Sequence, residues 1–282
     1  MRRSFVHLHL HTEYSLVNGM IRIGSLVEQT RANQMPSVAI TDIGNLYGTV
    51  KFFNKCVAQG IKPIIGAEVY IENPDKVTQP SILVLLVQNE KGYVNLSELL
   101  SKGFREGQTY GKPILEKQWL KGRTDGLICL SGGLRGELAN AIMAGRNLHR
   151  ETLLKDYQSM FEDRFYIEIQ RVGRPHEEEY IAAAAELSAK FEVPIVATND
   201  VHFMRKEDFD AHEVKVCINE GRVLNDTRRV KHHTPHQYYK SAQEMIDLFG
   251  DIPSAIDNTL VVAKRCNFVP VSYTHLTLPT KA

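Results

Sequence analysis

An α/β fold with a largely parallel sheet is predicted by three features of the sequence. Apolar runs of strand length alternate with stretches of helical period over most of the chain, the pattern of repeated β-α units. Polar residues of ligand type cluster just after several of those runs, at the edge where parallel α/β folds collect their sites. The 282 residues, 43% hydrophobic and 24% charged, are enough for one large domain with a sizeable core or for two small ones. Right-handed crossovers fit both an open sheet and one closed into a barrel, so alternation leaves that choice undecided.

The first run, Phe5-Val6-His7-Leu8-His9-Leu10-His11-Thr12-Glu13-Tyr14, carries the strongest chemical signal. Regular strand alternation puts His7, His9 and His11 on one face and Leu8 and Leu10 on the other. Imidazoles two residues apart can reach one zinc, iron, nickel or manganese ion. The alternative is a surface strand whose histidines face water, and what decides between them is whether the rest of the chain supplies more ligands.

Residues 15–19 read as a loop with Asn18-Gly19 as turn chemistry. A helix over 21–33 follows, with Ile23, Leu26, Val27 and Thr30 inward, then a buried strand, Ser37-Val38-Ala39-Ile40, ending in Thr41-Asp42. Residues 46–59 are predicted helical with Val50, Phe53 and Val57 on the buried face. Two strand pieces, 62–65 and 68–71, flank Gly66-Ala67 and put Glu68 near a kink; the wholly apolar 82–87 must be a central strand. Tyr93, Leu96, Leu99 and Leu100 continue as a helix.

Residues 126–130 form a strand running into Ser131-Gly132-Gly133, a plain turn that could also hold a phosphate. Helices over 136–144 and 150–161 lead to the strand Phe165-Tyr166-Ile167-Glu168-Ile169-Gln170, with Glu168 opposite Ile167 and Ile169. An alanine-rich helix, 177–191, precedes a strand at 194–197 that ends in Thr198-Asn199-Asp200-Val201-His202, a second polar pair two residues apart. Further helices are expected at 211–220, 242–249 and 252–265, the last with Asp251 as candidate cap. Between them, Arg228-Arg229-Val230-Lys231-His232-His233 reads as a solvated basic surface, with Arg228, Arg229 and Lys231 as candidates for phosphate or DNA contact.

A net charge of +1 provides no global basic field, so any contact with DNA must be local or supplied by other domains. Four scattered cysteines without a C-x-x-C pair suggest a reducing, cytoplasmic setting, and no apolar run approaches the ~20 residues of a membrane span.

His9-Leu10-His11-Thr12, Thr41-Asp42, Gly66-Ala67-Glu68 and Asn199-Asp200-Val201-His202, in this order and spacing, resemble the PHP (polymerase and histidinol phosphatase) family. More narrowly, Phe5 to His9, Ile40 to Leu46, Gly60 to Ala67, Leu130 to Gly133, Pro194 to Asp200 and Phe209 to Glu213 resemble the amino-terminal domains of bacterial DNA polymerase III alpha subunits, from about Phe5 to Phe268. The resemblance implies a distorted (β/α)7 barrel over about 5–205 with additional C-terminal helices over about 206–268, together one PHP domain spanning 1–270. It implies a mouth that holds up to three divalent ions, zinc, manganese or iron among them, and hydrolyses phosphoesters. In polymerases with an intact cleft it implies a 3′→5′ exonuclease; in others, a domain that supports the polymerase and docks the separate proofreading exonuclease (epsilon) subunit.

On this resemblance His9, His11, Glu68, Asp200 and His202 match metal ligands, with Asp42 and Glu168 as less secure members. Asn18, Ile43 and Ile82 stand where ligands are expected, and Ile cannot donate an electron pair, so at least two ions of a three-ion site lose a ligand; the expectation is one remaining site, built from His9, His11, Asp200 and His202 with Glu68 near it, and weak or absent hydrolysis. The parts of a polymerase that synthesise DNA, with their catalytic Mg²⁺ and most DNA contacts, would follow Phe268. Residues 271–282 match nothing expected there and are predicted to be disordered. Three functions follow: a structural and docking module of the polymerase, a metal-dependent exonuclease within it, or a free-standing small-molecule phosphatase. Residues 209–213 and the last helices favour the first two.

Overall fold

Six apolar residues in succession leave the strand at 82–87 no polar face, and it lies at the centre of the sheet. In the computed structural model, which describes residues 4–73, 79–109, 111–226 and 228–270, every residue of this strand, β3 (Ser81–Val87), is buried. It pairs antiparallel with β2 (Lys62–Ile71) on one side and β6 (Leu127–Leu130) on the other. The sheet is therefore not wholly parallel. The chain from Ile71 to Ser81 is shorter than the roughly a dozen residues a parallel crossover needs, so it turns back beside itself.

Much of the remaining chain keeps the β-α alternation. Helix α1 (Ile23–Ala32) precedes β1 (Ser37–Ile43), and α2 (Thr49–Ala58) connects β1 to its parallel neighbour β2. Helix α3 (Glu90–Glu106) is followed by a small hairpin, β4 (Gln108–Thr109) and β5 (Lys112–Leu115), in which β5 pairs parallel with the end of β2. Helices α4 (Glu137–Met143) and α5 (Asn147–Phe161) link β6 to β7 (Phe165–Gln170), and α6 (Glu177–Phe191) links β7 to β8 (Ile195–Thr198), with both pairings parallel. Helices α7 (Phe209–Glu220), α8 (Ala242–Leu248) and α9 (Pro253–Arg265) complete the described chain.

Alternate residues of the strands point to two different cores. Val6, Leu8, Ala39, Ile64, Val84, Leu86, Ile128, Leu130, Tyr166 and Val196 form an inner cluster that Val262, Ala263 and Cys266 join. The outward residues of the same strands pack under the helices in the larger cluster. Sheet ladders leave a gap between β1 and β8, and residues 7–11 fill it: Ala39 N–H donates to His7 O, Thr41 N–H to Leu10 O, His11 N–H to Val201 O and Val201 N–H to His9 O. The result is a barrel-like α/β fold with a filled interior and one polar mouth.

Several local expectations need correction. Strand β2 is continuous through Gly66, so Glu68 sits within a regular strand and not at a kink. Gly66 is required because a Cβ there would lie 2.5 Å from Leu85 O on β3. Helix α2 buries Thr49, Phe52 and Cys56, leaving Val50 and Val57 more than half exposed. Both stripes have helical spacing, and the helix is rotated to bury Phe52. Residues 13–18 form a 3-10 helix and not a plain loop. Ile252, not Asp251, occupies the N-cap of α9; Asp251 instead accepts from Arg171. The expectation for 271–282 lies outside the described residues. All four cysteines are buried and free, and no helix among the described residues is long and apolar enough to cross a membrane.

Candidate metal centre

The histidine run is not a regular strand, and the irregularity sorts its imidazoles. Residues 39–41 of β1 face residues 7–10 across the ladder, so the first segment carries one residue more than its partner, as in a β-bulge. Thr41 accommodates it: its Oγ1 accepts from Leu10 N–H and donates to Leu10 O. Side-chain alternation consequently slips after Leu8. Val6 and Leu8 join the inner core, whereas Phe5 and Leu10 join the outer one. His7 stays on the outer side, with Nε2 2.8 Å from Lys240 O and its ring against Tyr239. The expected three-histidine face is thereby reduced to His9 and His11 at the mouth.

His9, His11, Glu68 and Asp200 are wholly buried, and each offers one ligand atom within 4.8 Å of the others. Glu68 points inward because it keeps the parity of Ile64 on β2. Asp200, just beyond β8, has a left-handed backbone (φ 43°), a conformation that Asp tolerates better than most side chains. His9 Nε2 lies 3.0 Å from Glu68 Oε2 and 3.5 Å from Asp200 Oδ1; His11 Nε2 lies 3.5 and 3.3 Å from the same oxygens. His9 Nδ1 is held 2.7 Å from Glu168 Oε1, the carboxylate-imidazole arrangement that orients metal-binding histidines. Glu168 is itself fixed by Gly132 N–H at 3.0 Å and by Thr198 and Gln170. It therefore backs His9 and does not join the four-residue cluster.

The residues fit a divalent ion by one direct observation: His11 Nε2 is buried without a hydrogen-bond partner and faces two carboxylates. Two imidazoles and two carboxylates are a donor set suited to zinc, manganese or iron.

Two arginines that the sequence reading missed share this space. Arg135 Nη2 is 2.5 Å from Glu68 Oε2 and 3.3 Å from Asp200 Oδ1, and Arg174 Nη2 is 2.7 Å from Asp200 Oδ2. Gln237 Nε2 donates to Asp200 Oδ2 at 2.9 Å. Arg135 follows the Gly132-Gly133 turn after β6, so its place at a strand end was the available signal. Burial opposes ionisation of Glu68 and Asp200, but Arg135 and the neighbouring imidazoles outweigh it and hold both carboxyls well below the usual range. Burial likewise opposes charge on His9, yet Glu168, Asp200 and Glu68 together raise its pKa to about 10. His11 is also raised, against burial, by Asp200 and Glu68.

Asp42 does not reach the cluster. Its carboxylate accepts from Thr12 N–H, Thr12 Oγ1 and Ser15 Oγ at 2.5–2.7 Å, which anchors the start of the first loop. Asn18 presents its backbone carbonyl to the mouth, accepting from His202 Nδ1 at 2.5 Å and His212 Nε2 at 3.1 Å. Ile82 is buried against Gly132, and Ile43 ends β1 with its N–H donated to Ser15.

His202 belongs to a neighbouring group. With Nε2 3.1 Å from Asp200 Oδ1, it borders the first cluster but gathers with His212 of α7 and His233 of the following loop, each offering one nitrogen within 4.8 Å of the others. Burial lowers the pKa of His202 to about 3 despite Asp200, and lowers those of His212 and His233. The basic segment is not a uniform solvated surface. Arg228 is exposed beside Asp226 and Lys231 is exposed, but Arg229 is turned inward, with Nη2 2.5 Å from Glu213 Oε2, and is not available to DNA. Nor is the Gly132-Gly133 turn a phosphate cradle, because Gly132 N–H is committed to Glu168.

A barrel-like α/β fold with histidines and carboxylates gathered at one mouth could hold a metal ion, and the comparisons say which family has this arrangement. Residues 7–172 match the PHP domain family, and the chain belongs to that family. The chain is 49% identical over 267 residues to the DNA polymerase III subunit alpha of Pseudomonas fluorescens, and 41% identical over 263 residues to that of Escherichia coli K12. These alignments cover 95% and 93% of this chain but 23% of each relative, so the chain spans about a quarter of the length of the curated relatives it matches. Among solved structures, an amidohydrolase from Chromobacterium violaceum aligns with a TM-score of 0.50 at 14% identity, over 71% of this chain and 88% of that one, a likeness of fold alone.

Proposed function

We propose that the chain is the amino-terminal PHP module of a replicative DNA polymerase III alpha subunit. It acts there chiefly as a structural platform and as the docking site for the proofreading exonuclease subunit. The observation that carries this reading is the extent of the likeness. The PHP match ends at residue 172, whereas the polymerase likeness continues through nearly the whole chain, including the helices that follow the barrel. On this reading residues 1–270 are one PHP domain, with the barrel over about 5–205 and the helical extension over about 206–268. DNA synthesis, its Mg²⁺ and most DNA contacts belong to the remainder of a cytoplasmic polymerase.

The same reading gives the cleft one divalent ion, zinc, manganese or iron, held by His9, His11, Glu68 and Asp200. When bound, such an ion supplies Lewis acidity toward a phosphoester. Around it, Glu168 orients His9, and Arg135 and Arg174 are placed to pair with an incoming anion as well as with Glu68 and Asp200. Loss of ligand chemistry at Ile43 and Ile82 argues for weak or absent hydrolysis.

Pull-down of the purified chain with the proofreading exonuclease subunit of a DNA polymerase III tests the docking role, and failure to bind overturns it. Protein purified without chelator is expected to contain stoichiometric metal; none would overturn the metal assignment. The intact four-residue cluster favours a second reading, a metal-dependent 3′→5′ exonuclease. Rapid phosphodiester cleavage with added Mn²⁺, abolished in His9→Ala, would establish it in place of the docking-only role.

A further inference from the structure

We propose that His202, His212 and His233 form a second metal site, a three-imidazole cradle for a zinc-class divalent ion, beside the His9 cluster and distinct from it. His212 and His233 lie on α7 and the loop after it, beyond the residues that match the PHP family. One ring nitrogen from each of the three lies within 4.8 Å of the others. A metal–nitrogen bond of about 2.0–2.1 Å in tetrahedral geometry puts ligand nitrogens about 3.3 Å apart, so a contraction of at most about 1.5 Å completes the set.

Hydrogen bonding has already oriented two of these rings. Neutral imidazole has one N–H and one lone pair, and a carbonyl can only accept. Asn18 O accepts from both His202 Nδ1 and His212 Nε2, which leaves lone pairs on His202 Nε2 and His212 Nδ1. A backbone carbonyl that takes the far N–H of a histidine is the usual support of a metal ligand.

The remaining contacts ask for a cation. His212 Nδ1 and His233 Nδ1 are buried without partners, in side chains at least nine-tenths buried. Each unmade hydrogen bond costs roughly 1–3 kcal/mol, so ring packing alone leaves them unexplained. His202 Nε2, left without a proton, faces Asp200 Oδ1 at 3.1 Å, lone pair against carboxylate. On the other side Glu213 Oε1, also unpartnered, lies 3.9 Å from His233 Nδ1. A divalent ion among the rings would use the three free nitrogens, relieve the contact with Asp200 and meet an anion on both sides.

The test separates this site from its neighbour. The 282-residue chain carrying His9→Gln and Glu68→Gln, stripped with chelator and titrated with Zn²⁺, is expected to retain one equivalent, and addition of His212→Ala and His233→Ala to abolish it. Co²⁺ bound to the otherwise unaltered chain should show visible d–d bands, and His233→Ala should remove the share of their intensity that belongs to the three-imidazole site, lowering the Co²⁺ stoichiometry by one equivalent, while circular dichroism is unchanged. Should the doubly substituted chain fold yet bind no Zn²⁺, or the His233→Ala chain keep both its Zn²⁺ stoichiometry and its Co²⁺ bands, the second site is overturned. If the quadruple variant unfolds, the Co²⁺ bands of the otherwise unaltered chain and of His233→Ala decide the matter.

Discussion

Replacing Arg135 with glutamine should reveal whether an arginine occupies the electrostatic place of a metal ion. The side chain contributes a positive charge 2.5 Å from Glu68 Oε2 and 3.3 Å from Asp200 Oδ1, and both acceptors are wholly buried. Removing one partner of a buried ion pair costs about 3–5 kcal/mol, because the other charge is left in a poorly solvating site. Arg135 is one-third exposed and Arg174 still neutralises Asp200, so the expected loss is smaller, about 2–3 kcal/mol at pH 7 in chelator. Urea unfolding of both proteins should show this as a lower midpoint at unchanged slope. Excess Zn²⁺ should then stabilise Arg135→Gln more than the parent chain, because the guanidinium contacts two of the oxygens an ion would use. A relief of about 1.4 kcal/mol corresponds to tenfold tighter binding. Equal stability in chelator, or equal stabilisation by Zn²⁺, would refute the idea that arginine and metal compete for these carboxylates.

Gly132→Ala should destabilise the fold by more than about 1 kcal/mol, measured by urea unfolding, because the residue has φ of 82° and a Cβ there would lie 2.4 Å from Ile82 O. Arg229→Ala should cost about 3–5 kcal/mol by leaving buried Glu213 without its 2.5 Å partner, whereas Arg228→Ala should stay within about 0.5 kcal/mol. Equal thermal melts for the two variants would contradict the inward placement of Arg229. Burial lowers the pKa of His7 from 6.5 to about 4, so protonation is favoured in the unfolded chain. The contribution is fully present above pH 6.5 and is lost as pH falls toward 4, by about 3 kcal/mol. His7→Gln can still donate to Lys240 O but cannot titrate, and its stability should fall less steeply over that range; parallel curves would refute this assignment.

What could be read from the sequence depended on whether one local rule applied. Residues Ile23, Leu26, Val27 and Thr30 offer a single apolar stripe, and all four are buried; 82–87 offers no polar face, and the strand is central. Helix α2 carries two overlapping stripes of equal period, and only the packing against its neighbours selects Phe52 over Val50 and Val57. Alternation also predicted a three-histidine face, because a bulge leaves no mark in the apolar pattern. That bulge depends on the Thr41 hydroxyl meeting the Leu10 backbone, a contact across 31 residues. His9, His11, Glu68 and Asp200 were legible because all lie on or just beyond strands that open at one mouth. Arg135, Arg174, His212 and His233 reach the same mouth from turns, a loop and an added helix, where no period specifies direction.

The charge balance of the mouth explains how three buried carboxylates can stand together in one space. Glu68, Glu168 and Asp200 are wholly buried anions, and an uncompensated set would not survive the desolvation cost. Arg135, Arg174 and a protonated His9 provide three positive charges in direct contact with them. The buried anions therefore have cationic partners within the fold itself, and an ion at the carboxylates competes with Arg135 and with the proton of His9 for the same oxygens. Both competitors weaken an ion's hold on the cleft without removing its ligands. A domain arranged in this way can keep its architecture whether or not metal is bound, which suits a structural and docking role better than a hydrolytic one.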